Sequence, residues 1–185
     1  MFGISKTKIK GVLLVKPEVF RDDRGLFIET YSEKKYFEKG LKEKFVQDNY
    51  SHSKKNTLRG LHYQLKNPQG KLVRVLRGKV LDVVVDIRQG SPTFGENVSV
   101  ILDDTNFNQL YMPHGIAHGF FVISESVDFE YKCTDYYYPE DQYGIAYNDP
   151  FLDIKFPSDQ VIISSQDKSF LPLKDVPKNL LPSLI

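Results

Sequence analysis

The run Leu58-Arg59-Gly60-Leu61-His62-Tyr63-Gln64, with Lys71 close behind it, sets a guanidinium, an imidazole and an ammonium along what read as two neighbouring β-strands. On a sheet face shielded from water such groups must be paired or in use, because stripping solvent from a lone charge is expensive. The combination suits a site that holds an anionic substrate and moves a proton on it. Strict alternation along a strand sends Arg59 and His62 to opposite faces. Gly60 between them can host a bulge that brings both to one side; without such an irregularity, one of the two lies outside the site.

Other clusters point the same way. Phe45, Gln47, Asn49 and Ser51 share one parity of a strand, so Gln47 and Asn49 face inward, where amides serve a ligand or a buried hydrogen-bond network. Tyr131, Cys133, Asp135 and Tyr137 share parity further on, which directs Tyr131 and Tyr137 toward one cavity. A phenol near a reacting carbon can donate a proton, although tyrosine serves equally as a core or rim residue. His114 and His118 raise the possibility of a metal, but their spacing suits ligands on a helix better than a Gly-rich loop. No metal is expected, and His114 reads as a turn residue. Cys133 is the sole cysteine; it can form neither an internal disulfide nor a thiolate cage and reads as a small buried core residue. Gly-rich phosphate loops, dinucleotide fingerprints and Ser-centred nucleophile elbows do not occur.

The elements that must position these groups are mostly strands. Leu81, Val83, Val85 and Ile87 alternate with Asp82, Val84, Asp86 and Arg88, a period of two with one apolar face. Arg77-Gly78 separates this run from Leu72–Leu76, so the pair reads as a hairpin. Further strands are expected over Gly11–Val19, Leu26–Tyr31, Phe45–Ser51, Leu58–Gln64, Asn97–Leu102, Gln109–Met112, Gly119–Ile123 and Ser126–Thr134. Ser32 can cap a helix over Glu33–Lys39 that Gly40 stops, and a helical turn is expected around Ser165–Phe170. The tail after Leu171 is expected to wrap the surface. This is an all-β pattern of the sandwich or jelly-roll kind with a few short peripheral helices, in one domain spanning 1–185.

Composition narrows the partners. A net charge of +1 over 185 residues gives no reason to expect nucleic acid or an acidic membrane, so any bound anion must be met by a local cluster. The N-terminus lacks an apolar run long enough for a signal peptide and no segment could span a bilayer; a cytoplasmic protein is expected.

The motifs resemble the dTDP-4-dehydrorhamnose 3,5-epimerase family along nearly the whole chain. They run in family order: Phe20-Arg21-Asp22-Asp23-Arg24-Gly25-Leu26-Phe27-Ile28-Glu29, Phe45-Val46-Gln47-Asp48-Asn49, Leu58–Gln64, Gly70-Lys71-Leu72-Val73-Arg74, Ser91-Pro92-Thr93-Phe94-Gly95, Ala117-His118-Gly119-Phe120 and Ser165-Gln166-Asp167. The resemblance implies a cupin-type jelly-roll barrel, a homodimer, a dTDP-sugar substrate, and neither metal nor cofactor. It also implies epimerisation at C3 and C5 of dTDP-4-dehydro-6-deoxy-D-glucose to give dTDP-4-dehydro-L-rhamnose. By the same resemblance His62 is the general base oriented by Asp167, Tyr131 the acid on the opposite face of the sugar, and Lys71 the group that steadies the enolate. Arg24, Gln47, Asn49, Arg59 and His118 look like nucleotide and sugar contacts. Phe27 and Glu29 look like base contacts from a partner subunit, and Tyr137 and Tyr138 like pocket residues, one of them stacking on the base. The chain departs from the family at Ile116, usually Phe, at Tyr147, usually Trp, and at His114, often acidic; these leave substrate preference more open than reaction type.

The chemistry explains the residue types. Carbons 3 and 5 of a 4-keto sugar both adjoin the carbonyl, so either hydrogen can leave as a proton and the developing enolate needs a fixed cation. An imidazole, with an ordinary pKa of about 6.5, is available as a base at neutral pH, and a carboxylate behind it selects its tautomer. Inversion requires a separate donor on the far side of the ring, for which a phenol of pKa about 10 serves. Competing readings are an epimerase acting at one carbon only or on another nucleotide sugar, a metal-dependent cupin oxygenase or isomerase, and a non-catalytic sugar-nucleotide binding module.

Overall fold

The computed structural model describes residues 1–184. Thirteen strands run through the described residues: β1 (Gly3–Lys6), β2 (Leu13–Lys16), β3 (Val19–Asp22), β4 (Gly25–Ile28), β5 (Gln47–Lys54), β6 (Leu58–Gln64), β7 (Lys71–Arg77), β8 (Lys79–Asp86), β9 (Asn97–Asp103), β10 (Gln109–Met112), β11 (Ile116–Val122), β12 (Ser126–Cys133) and β13 (Gln142–Gly144). Two short helices, α1 (Glu33–Glu38) and α2 (Ser165–Lys168), accompany them. A six-stranded antiparallel sheet has the order β1-β2-β10-β7-β12-β5, and a five-stranded one the order β13-β6-β11-β8-β9; β3 and β4 form a separate hairpin. Within the two sheets, β5 to β12 fall into β10-β7-β12-β5 and β6-β11-β8-β9, which is the jelly-roll arrangement.

That arrangement overturns the expected hairpin at Arg77-Gly78. β7 pairs with β10 and β12, whereas β8 pairs with β11 and β9, so the chain changes sheets at Gly78. Gly78 takes φ +93°, and a Cβ there would collide with the Ser126 carbonyl oxygen. Sequence periodicity registers two adjacent strands but not which strand each pairs with.

Nor does β8 have a single apolar face. Leu81, Val83 and Val85 pack outward against Leu61, Phe121, Ile145, Leu173 and Leu181, while Val80 and Val84 point between the sheets to meet Val75, Phe120 and Phe129. Both faces are covered because the segment after β13 closes over the five-stranded sheet. The tail therefore does more than wrap: Leu173 and Leu181 are buried in this second core. The expected strand Gly11–Val19 breaks into β2 and β3 around Pro17, which has no N–H to donate to a ladder. α1 ends at Glu38, Ser32 makes no side-chain cap, and Gly40 turns the chain at φ +97°. Phe45 lies before β5 and packs with Tyr31 and Tyr111 on the outer side of the six-stranded sheet, opposite the face taken by Gln47 and Asn49.

Between the sheets the apolar core fills one end of the barrel. The other end is left as a cavity. No helix among the described residues is long and apolar enough to cross a membrane.

Candidate active site

The cavity has a volume of about 670 Å³ and opens between the two sheets. β5 lines it with Gln47, Asn49 and Ser51, and β12 with Phe129 and Tyr131, as one parity of each strand requires. β7 adds Lys71 directly across the ladder from Cys133. The facing sheet contributes Arg59 and His62 from β6 and His118 from β11, and the loop beyond β12 contributes Tyr137.

Arg59 and His62 reach the same cavity because the ladder slips beside Gly60. His118 pairs with His62 and Phe120 with Arg59, so β6 carries one residue more than β11 across this interval. Gly60 has φ +129°, and a Cβ on it would lie 2.5 Å from the Gly119 Cα. Two facing glycines let the strands touch where the bulge forms.

α2 delivers the carboxylate to the histidine. Ser164 caps this turn by accepting the Asp167 N–H at 3.0 Å, and Asp167 lies buried against β6. One Asp167 oxygen bonds His62 Nε2 at 2.9 Å, and the other accepts the Gly60 N–H at 3.1 Å. The carboxylate thus grips the bulge and the imidazole together. Burial opposes its ionisation, but the bonds from His62, Gly60 and Ser164 outweigh burial and hold it below the usual carboxylate range. With an ionised acceptor at Nε2, the proton sits on that nitrogen and Nδ1 is left with a lone pair. Phe170 meets the His62 ring edge-on at 5.8 Å, fitted against Gly144, where any side chain would collide with it.

On the opposite wall, burial pushes the Tyr131 phenol up to about 12, with neighbouring Cys133 adding to the rise and Arg59 opposing it. The Lys71 ammonium lies 5.8 Å from the centre of the Tyr131 ring. Burial pushes Lys71 below its ordinary range, while Cys133 and Asp82 pull it back up. Gln47 and Asn49 belong to a chain of hydrogen bonds: the Tyr137 N–H donates to Gln47 Oε1, Gln47 Nε2 to Asn49 Oδ1, and Asn49 Nδ2 to Cys133 Sγ. Cys133 is fully buried, as expected.

Not every candidate converges. Arg24 is exposed on the β3–β4 hairpin and paired with Asp22 at 2.6 Å. Phe27, on the same hairpin, is 68% exposed, and Glu29 pairs with Lys35 at 2.8 Å. None of the three lines this chain's cavity. The Tyr138 ring stays out of it as well, its backbone N–H held by Gln64 Oε1. His114 is exposed in a turn. Among the described residues, no group of three or more His, Cys, Asp or Glu could hold a metal ion.

One member of the site escaped the sequence reading. Asp82 is fully buried on β8 and bonds His118 Nε2 at 2.9 Å. A carboxylate inside Val80-Leu81-Asp82-Val83-Val84-Val85 was itself the signal, since a charge within so apolar a run demands a partner.

Comparison with known proteins now decides the family. The family model described as dTDP-4-dehydrorhamnose 3,5-epimerase matches residues 6–175. The chain belongs to this family. The relative named dTDP-4-dehydrorhamnose 3,5-epimerase in Methanothermobacter thermautotrophicus is 45% identical over 179 residues, 95% of this chain and 97% of its own. The protein of that name from Salmonella typhimurium is 48% identical over 177 residues, covering 95% and 97%. A solved dTDP-6-deoxy-D-glucose-3,5-epimerase from Legionella pneumophila, in complex with dTDP-4-keto-L-rhamnose, superposes with a TM-score of 0.96 at 48% identity over the full length of both chains. The jelly roll of this epimerase-family chain is of the expected cupin type.

Proposed function

We propose that the protein epimerises dTDP-4-dehydro-6-deoxy-D-glucose at C3 and C5, yielding dTDP-4-dehydro-L-rhamnose. The observation that carries this reading is the placement of a carboxylate-bound imidazole and a phenol on opposite walls of one cavity. His62 stands on the five-stranded sheet and Tyr131 on the six-stranded sheet, both lining the same space. A sugar ring between them presents one face to each.

His62 removes the hydrogen beside the 4-keto group through Nδ1, and Asp167 stabilises the imidazolium as it forms. The electron pair moves onto the carbonyl oxygen, where Lys71 offsets the charge; one fixed donor of this kind is worth roughly 3 kcal/mol. Tyr131 then delivers a proton to the opposite face of the same carbon, inverting it. Its raised pKa keeps the phenol protonated at neutral pH until a carbanion requires the proton. His62 then releases its proton to solvent and Tyr131 regains one from solvent, and repetition at the second carbon completes the reaction. Arg59 meets the diphosphate, Gln47, Asn49 and His118 hold the nucleotide and sugar, and Tyr137 packs against the base, with no metal or cofactor called upon.

The protein works as a homodimer on this reading. Arg24, Phe27 and Glu29 reach the partner's cavity from the β3–β4 hairpin, whose Phe20, Leu26 and Phe27 are about half exposed or more in one chain. One domain, residues 1–185, carries the activity, in the cytoplasm, where an unpaired cysteine is at home.

The test is incubation with thymidine-diphosphate 4-keto-6-deoxyglucose in heavy water, followed by NMR of the sugar. Deuterium is expected at both C3 and C5. Label at one carbon alone establishes a mono-epimerase instead, and label at neither removes the epimerase reading. For the dimer, light scattering should give twice the chain mass, and mixing inactive His62→Ala with inactive Phe27→Ala should restore part of the activity. An active monomer overturns the shared site.

A further inference from the structure

The cavity contains a second imidazole–carboxylate pair that the proton-transfer steps above leave unused. His118 and His62 face each other across the β6–β11 ladder, and each binds a different aspartate through Nε2, at 2.9 Å in both cases. Asp82 is fully buried and shares the inward parity of Val80 and Val84, in the middle of the apolar core. Its Oδ2 accepts from His118, while its Oδ1 is buried with no hydrogen-bond partner. A half-satisfied carboxylate in such a place costs stability, and an apolar residue of similar size would avoid that cost.

Lys71 shows the complementary deficiency. Its ammonium lines the cavity and makes neither an ion pair nor a hydrogen bond among the described residues. The titratable groups around it are Cys133 and Tyr131 on β12, Asp82 on β8, His118 on β11, and His62 and Arg59 on β6. Cys133 and Asp82 are the two whose charge favours the ammonium. Burial keeps the Cys133 thiol from ionising easily, which leaves the Asp82 carboxylate as the anion on that side.

We infer that Asp82 is a positioning residue for the enolate-stabilising side of the cavity, holding His118 by a hydrogen bond and Lys71 by charge, as Asp167 holds the basic side. The inference rests on the epimerase reading and deepens it. Asp82 touches no reacting atom. By accepting the His118 Nε2–H it fixes that ring with Nδ1 toward the substrate, and its charge favours the ammonium form of Lys71 against the effect of burial.

Asp82→Asn separates charge from shape, because the amide oxygen still accepts from His118 Nε2. We expect kcat to fall about 10²-fold while the affinity for dTDP stays within about twofold. The alkaline limb of the kcat–pH profile should also move to lower pH, since without the carboxylate Lys71 loses its proton sooner. A purely structural Asp82 leaves that limb in place. A folded variant with kcat within threefold of wild type, or with an unmoved alkaline limb, overturns the inference. If the variant does not fold, nitrogen-15 NMR of the histidines in the unaltered, ligand-free protein decides: His118 must carry its proton on Nε2, and an Nδ1–H tautomer overturns the inference. Isotope exchange at the sugar carbons by wild type tests the epimerase reading; the variant-to-wild-type ratio and the tautomer test Asp82.

Discussion

Replacing Asp167 by asparagine tests the heart of the mechanism, because the shape is kept while the charge is lost and one acceptor becomes a donor. Asp167 accepts two bonds, from His62 Nε2 at 2.9 Å and from the Gly60 N–H at 3.1 Å. Asparagine has a single carbonyl oxygen. If that oxygen turns to Gly60, the amide NH₂ faces His62 and forces Nε2 to become the acceptor. The imidazole proton then moves to Nδ1, the atom that receives hydrogen from the sugar in the proposed mechanism, and the proposed base is lost. If the oxygen turns to His62 instead, NH₂ opposes the Gly60 N–H, leaving a buried donor unpaired at a cost of about 1–3 kcal/mol and loosening the bulge. The first arrangement leaves the buried bonds satisfied and should prevail. A wrong tautomer of this kind in a serine-protease triad lowers kcat about 10⁴-fold, and we expect a loss of about 10³–10⁴-fold here. The assay is the initial rate of deuterium uptake at C3 and C5, with dTDP affinity measured by calorimetry as the control for an intact cavity. A loss below about tenfold, with affinity unchanged, would refute the role given to this carboxylate.

Three further outcomes follow from the same geometry. Tyr131→Phe removes the far-side donor alone, so product formation should fall about 10²–10⁴-fold while the substrate still exchanges its α-hydrogen with solvent; equal loss of both rates would contradict separate acid and base. Gly60→Ala sets a Cβ 2.5 Å from the Gly119 Cα at φ +129°, which should cost roughly 1–3 kcal/mol, visible as a melting point lower by about 2–10 °C; an unchanged melting point would mean the two strands can part freely. Stability should weaken in acid through Asp86: burial opposes its charge, but bonds from Arg88, Ser91 and Thr93 outweigh burial and lower its proton affinity. A folded-state value below the unfolded one stabilises above pH about 4 and is lost as pH falls through the folded value. Denaturant titrations between pH 3 and 7 should show this decline flattened in Asp86→Asn.

The sequence by itself determined which side chains share a face and where a strand must deform. Parity placed Gln47 with Asn49 on the cavity wall, because successive side chains on a strand alternate whatever the fold, whereas Tyr137 joins Tyr131 there from the loop beyond β12, where alternation does not apply. Gly60 between Arg59 and His62 marked the bulge, because only glycine leaves room for the neighbouring strand there. Family resemblance supplied Asp167, which no local pattern ties to a histidine 105 residues away. The tertiary structure alone decided which strands pair, that the chain changes sheets at Gly78, that β8 is buried on both faces, and that Asp82 lies behind His118. The same step left Arg24, Phe27, Glu29 and Tyr138 outside this chain's cavity. The division has one physical cause. Alternation, turns and steric clashes act between near neighbours in the chain and are written there directly. Pairing between distant strands is set by how whole faces pack, and a period of two carries no record of its partner.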